Sequence, residues 1–420
     1  MIKRTFKAIG MLFIFSMGLS SLYLVNLFLM KPVSIDHYLG KELLITLIDS
    51  PESMTYMGIF DRFNWVTSHN SKLSVTKHED LNQDIKDAKK SLAILSRYKD
   101  SSLSDNQKIT KSIAIFDTEN NLKQLEEFPY HDYPLNQVRG VHHNVISFMS
   151  DMHPIRSLSE AKDFIKRTDL VIDVYSGQLS WLEKQAAEGI YAPEFVYTHL
   201  IKQLNELINY SLEEHPLYTQ FILKAKSLDI TVDELASLEA DLESSIKNSV
   251  TPGFVLLRDF MISTIENANP HHGIWSQPNG DEFYKLRIRS YTTTDYSPQK
   301  IHDLGLSEVA RISSRMKDIL VSLGYDAGKD TGTLMNDLNE DPSMLYADTP
   351  DRKKIVVQDY MDMVNEATEG IKEYFHTMPK APVTVIAAPE YSEKTAPGGW
   401  YQSPALDGSR PGAFYVNLYD

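Results

Sequence analysis

The chain has 420 residues, 42% hydrophobic and 24% charged, enough for one large or two medium domains with full apolar cores. Its 42 Lys plus Arg stand against 57 Asp plus Glu, a formal net charge of −15 without a basic patch, so no nucleic-acid partner is expected. Cysteine is absent, which excludes disulfides, thiolate zinc sites, a Cys nucleophile and a lipid-bearing N-terminal Cys.

Lys3, Arg4 and Lys7 precede an apolar run over 8–30 whose few polar members are Ser16, Ser20, Ser21 and Asn26. The run is about as long as a bilayer is thick. The small-x-small sequence Gly18-Leu19-Ser20 is a cleavage candidate, but the apolar character continues past it. We therefore expect 1–30 to be an uncleaved signal-anchor, a transmembrane helix that holds the protein at the inner membrane. The basic flank puts the N-terminus in the cytoplasm and the body in the periplasm or cell exterior. The alternative is secretion after signal cleavage.

The body, 31–420, reads as a single α-rich domain. Helical spacing of apolar residues covers about 85–95, 193–210 and 216–225. Ser157-x-x-Glu160 and Thr231-x-x-Glu234 have the form of capping boxes. The first opens a helix carrying Phe164, Val171, Val174 and Leu182; the second one carrying Leu235, Leu238, Leu242 and Ile246. Thr251-Pro252 is expected to kink or restart that second helix. The clearest pattern spans 298–323, where Ile301, Leu304, Val309, Ile312, Met316, Ile319 and Leu323 form one stripe. Ser297 stands at its N-cap, Pro298 at its first position and Gly324 at its end. After Thr349-Pro350, Val356, Tyr360, Met363, Ala367 and Ile371 share a further helix face. The last forty or so residues change period: 383–387, 399–402 and 413–418 read as strands, with a dense turn signal over 406–412. The fold class is mainly α, with a small β-hairpin or sheet near the C-terminus.

Metal motifs fail. His78-Glu79 is followed by Asn82 where a second histidine would be needed, so no HExxH forms. The adjacent pairs His142-His143 and His271-His272 point about 100° apart on a helix and rarely share an ion. Neither a Gly-x-Ser-x-Gly elbow nor a phosphate-cradling glycine loop occurs. Glu390 and Asp407 are conceivable as a glycosidase pair, a remote reading. More distinctive is the texture of two stretches. One is Gly273-Ile274-Trp275-Ser276-Gln277-Pro278-Asn279-Gly280-Asp281-Glu282-Phe283-Tyr284, with Arg287, Arg289 and Tyr291 following. The other is Pro397-Gly398-Gly399-Trp400-Tyr401-Gln402 with Asp407-Gly408-Ser409-Arg410-Pro411-Gly412. They are either well-specified loops or a pocket wall, with Arg set for carboxylates and Tyr or Gln for amides.

The first stretch, continued by Arg289-Ser290-Tyr291-Thr292-Thr293-Thr294, resembles a bacterial family catalogued as domain of unknown function 885. Pro397-Gly398-Gly399-x-Tyr401-Gln402 and Asp407-Gly408-Ser409-Arg410-Pro411-Gly412-x-Phe414-Tyr415-Val416-Asn417 are similar to its other signature. Asn136-Gln137, Gly140, His153-Pro154-Ile155, Glu188-Gly189 and Pro193 resemble weaker positions. The resemblance covers about 37–420 and corresponds to the family's N-terminal two-thirds. It implies a zinc metallopeptidase-like protein with an HExxPGH helix, two His on zinc and Glu polarising the attacking water. That helix follows, in the family, the segment matching Phe414 to Asn417, and no residue here matches it. The expectations are therefore these: no catalytic residue, no metal ligand and no cofactor in this chain, with zinc expected in the full-length family. The partners are a peptide substrate, the inner membrane through the N-terminal helix, and a missing C-terminal segment. The resemblance implies substrate-binding roles for Arg289, Tyr291, Gly399, Tyr401, Arg410 and Tyr415, with 398–402 or 413–417 as an edge strand pairing with substrate backbone. The chain alone is then inactive. The competing reading is a membrane-anchored helical binding protein without catalysis.

Overall fold

The computed structural model describes residues 21–28, 30–76, 80–138, 140–388, 393, 396–406, 408 and 410–419. The basic flank, most of the N-terminal apolar run, His78, Glu79, Glu390 and Asp407 lie outside the described residues. Residues 21–28 are helical, and among the described residues no helix is long and apolar enough to cross a membrane.

The longer elements are α1 (Ile35–Asp49), α2 (Asp80–Leu95), α3 (Asp105–Glu127), α4 (Leu158–Asp169), α5 (Val171–Ala187), α6 (Glu194–Ile208), α7 (Pro216–Ala225), α8 (Val232–Ser245), α9 (Thr251–Thr264), α10 (Gly280–Thr292), α11 (Pro298–Ser322), α12 (Thr331–Asn339) and α13 (Arg352–Gly370). Three short strands close the chain: β1 (Val383–Ala387), β2 (Gly399–Gln402) and β3 (Gly412–Val416). The protein is mainly α, with this small mixed sheet near its C-terminus. Its contacts gather into two compact units, Met1–Tyr56 with Phe60–Leu286, and Met57–Ile59 with Arg287–Asp420.

The first unit holds the main core. Phe164, Tyr175, Leu200, Leu204, Phe221, Leu242, Val250, Phe254 and Leu257 are buried in one cluster drawn from α4 to α9. Phe164 meets Phe221 with ring centroids 5.2 Å apart, and Tyr175 stacks on Phe254 at 5.5 Å. Helix starts follow local chemistry. Thr231 accepts from Glu234 N while the Glu234 carboxylate accepts from Thr231 N, a full capping box. The box expected at Ser157 is only half made. Ser157 Oγ accepts from Glu160 N, but the Glu160 carboxylate turns to the N–H and guanidinium of Arg156. The expected single helix from Ser157 to Leu182 breaks at Leu170, between α4 and α5.

At Thr251-Pro252 the chain passes from α8 through a π-helical turn, Ile246–Val250, into α9. The wider turn absorbs the proline, which lacks an N–H to donate. It also aims Ser249 at the α4–α5 break, where Ser249 Oγ donates to Asp169 O and accepts from Ile172 N, each at 2.9 Å.

In the second unit, α11 starts where expected, with Ser297 Oγ accepting from Lys300 N, and Gly324 follows its end at φ +98°. Leu320 of α11 is buried, and α12, which packs on α11, carries the fully buried Leu334. The sheet order is β1-β3-β2. β3 is parallel to β1 and antiparallel to β2. Phe414 of β3 stacks on Tyr360 of α13, with centroids 6.1 Å apart.

Candidate functional site

The sheet carries three of the six residues singled out from the sequence, Gly399, Tyr401 and Tyr415, and Arg410 lies in the loop that precedes β3. Register and alternation sort them by face. Trp400, Tyr415 and Ile386 are opposite one another on one face, where the Trp400 and Tyr415 rings stack at 4.7 Å and 3°. Tyr401, Phe414 and Val385 share the other face. Tyr401 and Tyr415 therefore sit on opposite faces. Tyr401 is 52% exposed. Two glycines permit this packing. A Cβ on Gly412 would strike the Tyr401 ring hydroxyl, and one on Gly399 would come within 3.0 Å of Tyr415 O. Asn417 Nδ2 ties the carbonyls of Glu393 and Ala396, and Arg410 Nη1 donates to Ser403 O at 2.8 Å, closing the loop beside the sheet.

The pairing decides between the two expected edges. β3 is paired on both sides, so 413–417 is not a free edge. β2 is an outer strand, and in an antiparallel ladder alternate backbone groups of such a strand point away from the partner. Val416 is buried and Phe414 half-buried on α13, so the terminal strand does not leave these two residues exposed.

Arg289 and Tyr291 lie on α10. Arg289 pairs with Asp295 at 3.6 Å, and Tyr291 Oη accepts from Arg287 Nη2 at 2.9 Å. The preceding signature stretch, in the first unit, works as a lock. Gln277 Nε2 donates to the Tyr133 hydroxyl and to His131 O, His131 Nε2 donates to Pro278 O, and Phe283 packs on Phe128 and His131. Gly280 leaves no room for a Cβ against Ile274 O.

The histidine pairs divide their tasks. His142 is buried and held neutral, its pKa pushed down to about 4 by burial and then by His143. His143 Nε2 is 3.2 Å from Ser147 Oγ. His271 packs on Trp275 and His272 on Phe195. Among the described residues no three His, Asp or Glu side chains gather as a metal site would require.

One polar cluster went unseen in the sequence. Arg167 of α4 is fully buried, and among the described residues no carboxylate is hydrogen-bonded to it. Its guanidinium donates to Lys72 O at 2.8 Å, His69 O at 2.7 Å, Thr55 Oγ1 at 2.9 Å and His153 Nδ1 at 2.9 Å. Burial and the Arg167 charge keep His153 neutral, and its Nε2–H donates to Glu160 O. Burial lowers Arg167 itself to about 10, against Glu52, Asp163 and Asp61, so it stays charged at neutral pH. Nearby, Lys224 Nζ donates to Ser150 O and His153 O, and burial lifts Asp151 to about 6. This is an anchoring centre, with its polar capacity turned inward. The only sequence signal was an Arg in step with Ala161, Phe164 and Thr168.

A crystal structure from Colwellia psychrerythraea, provisionally labelled a lipoprotein, matches with TM-score 0.78 and 26% identity, covering 90% of this chain and 68% of that one. A structure from Shewanella oneidensis, provisionally labelled a lipoprotein of unknown function, matches with TM-score 0.56 and 13% identity, covering 92% of this chain and 65% of that one. The second likeness concerns the fold alone. No curated protein matches the sequence. Residues 51–420 match the family described as bacterial protein of unknown function, DUF885, and the chain belongs to that family.

Proposed function

We propose that this chain is the peptide-recognising part of an exported DUF885 protein, and that it does not cleave peptides on its own. The observation that carries the reading is the position of β2, 399–402, as an outer strand built from the Gly399-x-Tyr401-Gln402 signature. An extended peptide added to that edge gains main-chain hydrogen bonds, and its alternate side chains fall on the two faces of the sheet. One set meets Tyr401, the other the Trp400–Tyr415 stack. Arg289, Tyr291 and Arg410 are assigned to peptide carboxylate or carbonyl groups in the same reading. Residues 31–420 are treated as one functional domain. The full family reaction, zinc-assisted peptide hydrolysis, is assigned to a protein carrying an HExxPGH helix, which these 420 residues lack. Export is supported by the basic flank and apolar run of 1–30 and by the lipoprotein label of the similar Colwellia structure. With no cysteine to lipidate, the run itself is assigned as the anchor.

The test is a peptide mixture incubated with the purified chain and zinc. Peptides should be retained and recovered intact. Cleavage that a chelator abolishes would contradict the reading, as would failure to retain any peptide.

A further inference from the structure

The clearest helical stripe of the sequence is largely exposed in the structure. On α11, Val309, Ile312, Met316, Ile319 and Leu323 follow one another at steps of three, four, three and four residues. This is the seam of a helix that packs against another helix, knobs into holes. Yet Val309 is 63% exposed, Ile312 46%, Ile319 47% and Leu323 63%. The contact of α11 with α12 includes the bond from Thr331 Oγ1 to Ser313 O, at a position outside the seam. An exposed seam of this length on a monomer marks an interaction surface.

The occupant is indicated by the comparisons. The match takes in 90% and 92% of this chain but only 68% and 65% of the two similar structures, so about a third of each relative lies outside the match. We propose that the Val309–Ile312–Met316–Ile319–Leu323 seam is the docking surface for an amphipathic helix equivalent to part of that unmatched third. A left-handed pairing near 20° would bury the seam along most of the helix. This inference is independent of the peptide-binding reading, because it concerns α11 and not β2.

The test uses amide hydrogen exchange of the full 420-residue chain, alone and joined through a long flexible linker to the part of the Colwellia protein that it does not match. The linker holds the partner at high effective concentration, so weak conserved pairing still registers. The amides over 305–322 should be protected at least tenfold more in the joined protein, and Ile312→Asp with Ile319→Asp should remove that protection while far-UV circular dichroism stays unchanged. If the double variant unfolds, the single Val309→Asp, at the most exposed position, takes its place. Equal exchange with and without the partner segment overturns the proposal. So does protection of 305–322 in the unjoined chain at twice the monomer mass, which would assign the seam to a second copy.

Discussion

Arg167 fixes the segment before α2 to the main core. Its guanidinium collects the carbonyls of His69 and Lys72, the Thr55 hydroxyl and the His153 ring in one buried place. Replacing it with Met removes a charge that is costly to bury, but strands two carbonyls and a hydroxyl without water. Arg167→Met should lower unfolding stability by ~3–5 kcal/mol. Arg167→Lys should recover only a small part, because one ammonium cannot reach acceptors spread over a planar fork. Urea denaturation followed by circular dichroism measures both, and an unchanged midpoint would contradict the anchoring role. The helical position of Arg167 was readable from its step with Ala161 and Phe164. Three of its partners, Thr55, His69 and Lys72, were not, because no periodicity links their segment to α4. Tyr401 and Tyr415 teach the same lesson in the sheet. Both were legible as signature residues, but only the register puts them on opposite faces.

At the scale of elements, local signals located many of the helices and missed their interruptions. The start of α11 at Ser297-Pro298 and its stop before Gly324 rest on neighbours in sequence, so they were legible. The break at Leu170 was not, because the apolar spacing continues across it. It is held from a distance by Ser249, which the π turn brings into place. Ser249→Ala removes the hydroxyl that pairs Ile172 N and Asp169 O at this partly buried break and should cost ~0.5–1.5 kcal/mol. A thermal melt compared with the wild type checks this; a loss below a few tenths would mean the break is held by packing alone. Helix α3 was missed for another reason: Asn120 is the one fully buried residue along its length, so no apolar stripe marks it. The parallel pairing of β1 with β3 also lay beyond the sequence, since the twenty-odd residues between them carry no signal of strand order.

For the whole molecule, the buried histidines set the response to pH. Burial depresses His142 and His215 to about 4 each, and His153 falls well below its usual range. Their stabilising contribution is complete above the unfolded value of 6.5 and is lost as pH falls from there toward 4, because the unfolded chain binds protons that the folded chain refuses. His142 and His215 are each worth up to ~3 kcal/mol across that window. Asp151 acts in the opposite sense. Its folded value of about 6 means that stability declines as pH rises from 4 to 6, which offsets part of the histidine effect. The three histidines outweigh one carboxyl, so the denaturation midpoint should fall between pH 7 and pH 5, and Asp151→Asn should raise it at pH 7. A midpoint that rises on acidification would contradict this balance.

Fold class and family were legible from periodicity and from two signature stretches, and the match over 51–420 agrees with both. The signatures turn out to do two different things. Gln277 and Pro278 lock a loop inside the first unit, whereas Gly399 and Gly412 shape the outer strand of a sheet in the second. In the proposed function this outer strand receives a peptide backbone. Titrating the chain with an extended peptide, and with the same peptide N-methylated at alternate residues, tests this. One of the two alternating N-methyl patterns should abolish binding, the other should be tolerated, and amides over 399–402 should gain protection only with the binding forms. Equal binding of all three peptides, or protection confined to other segments, would contradict it.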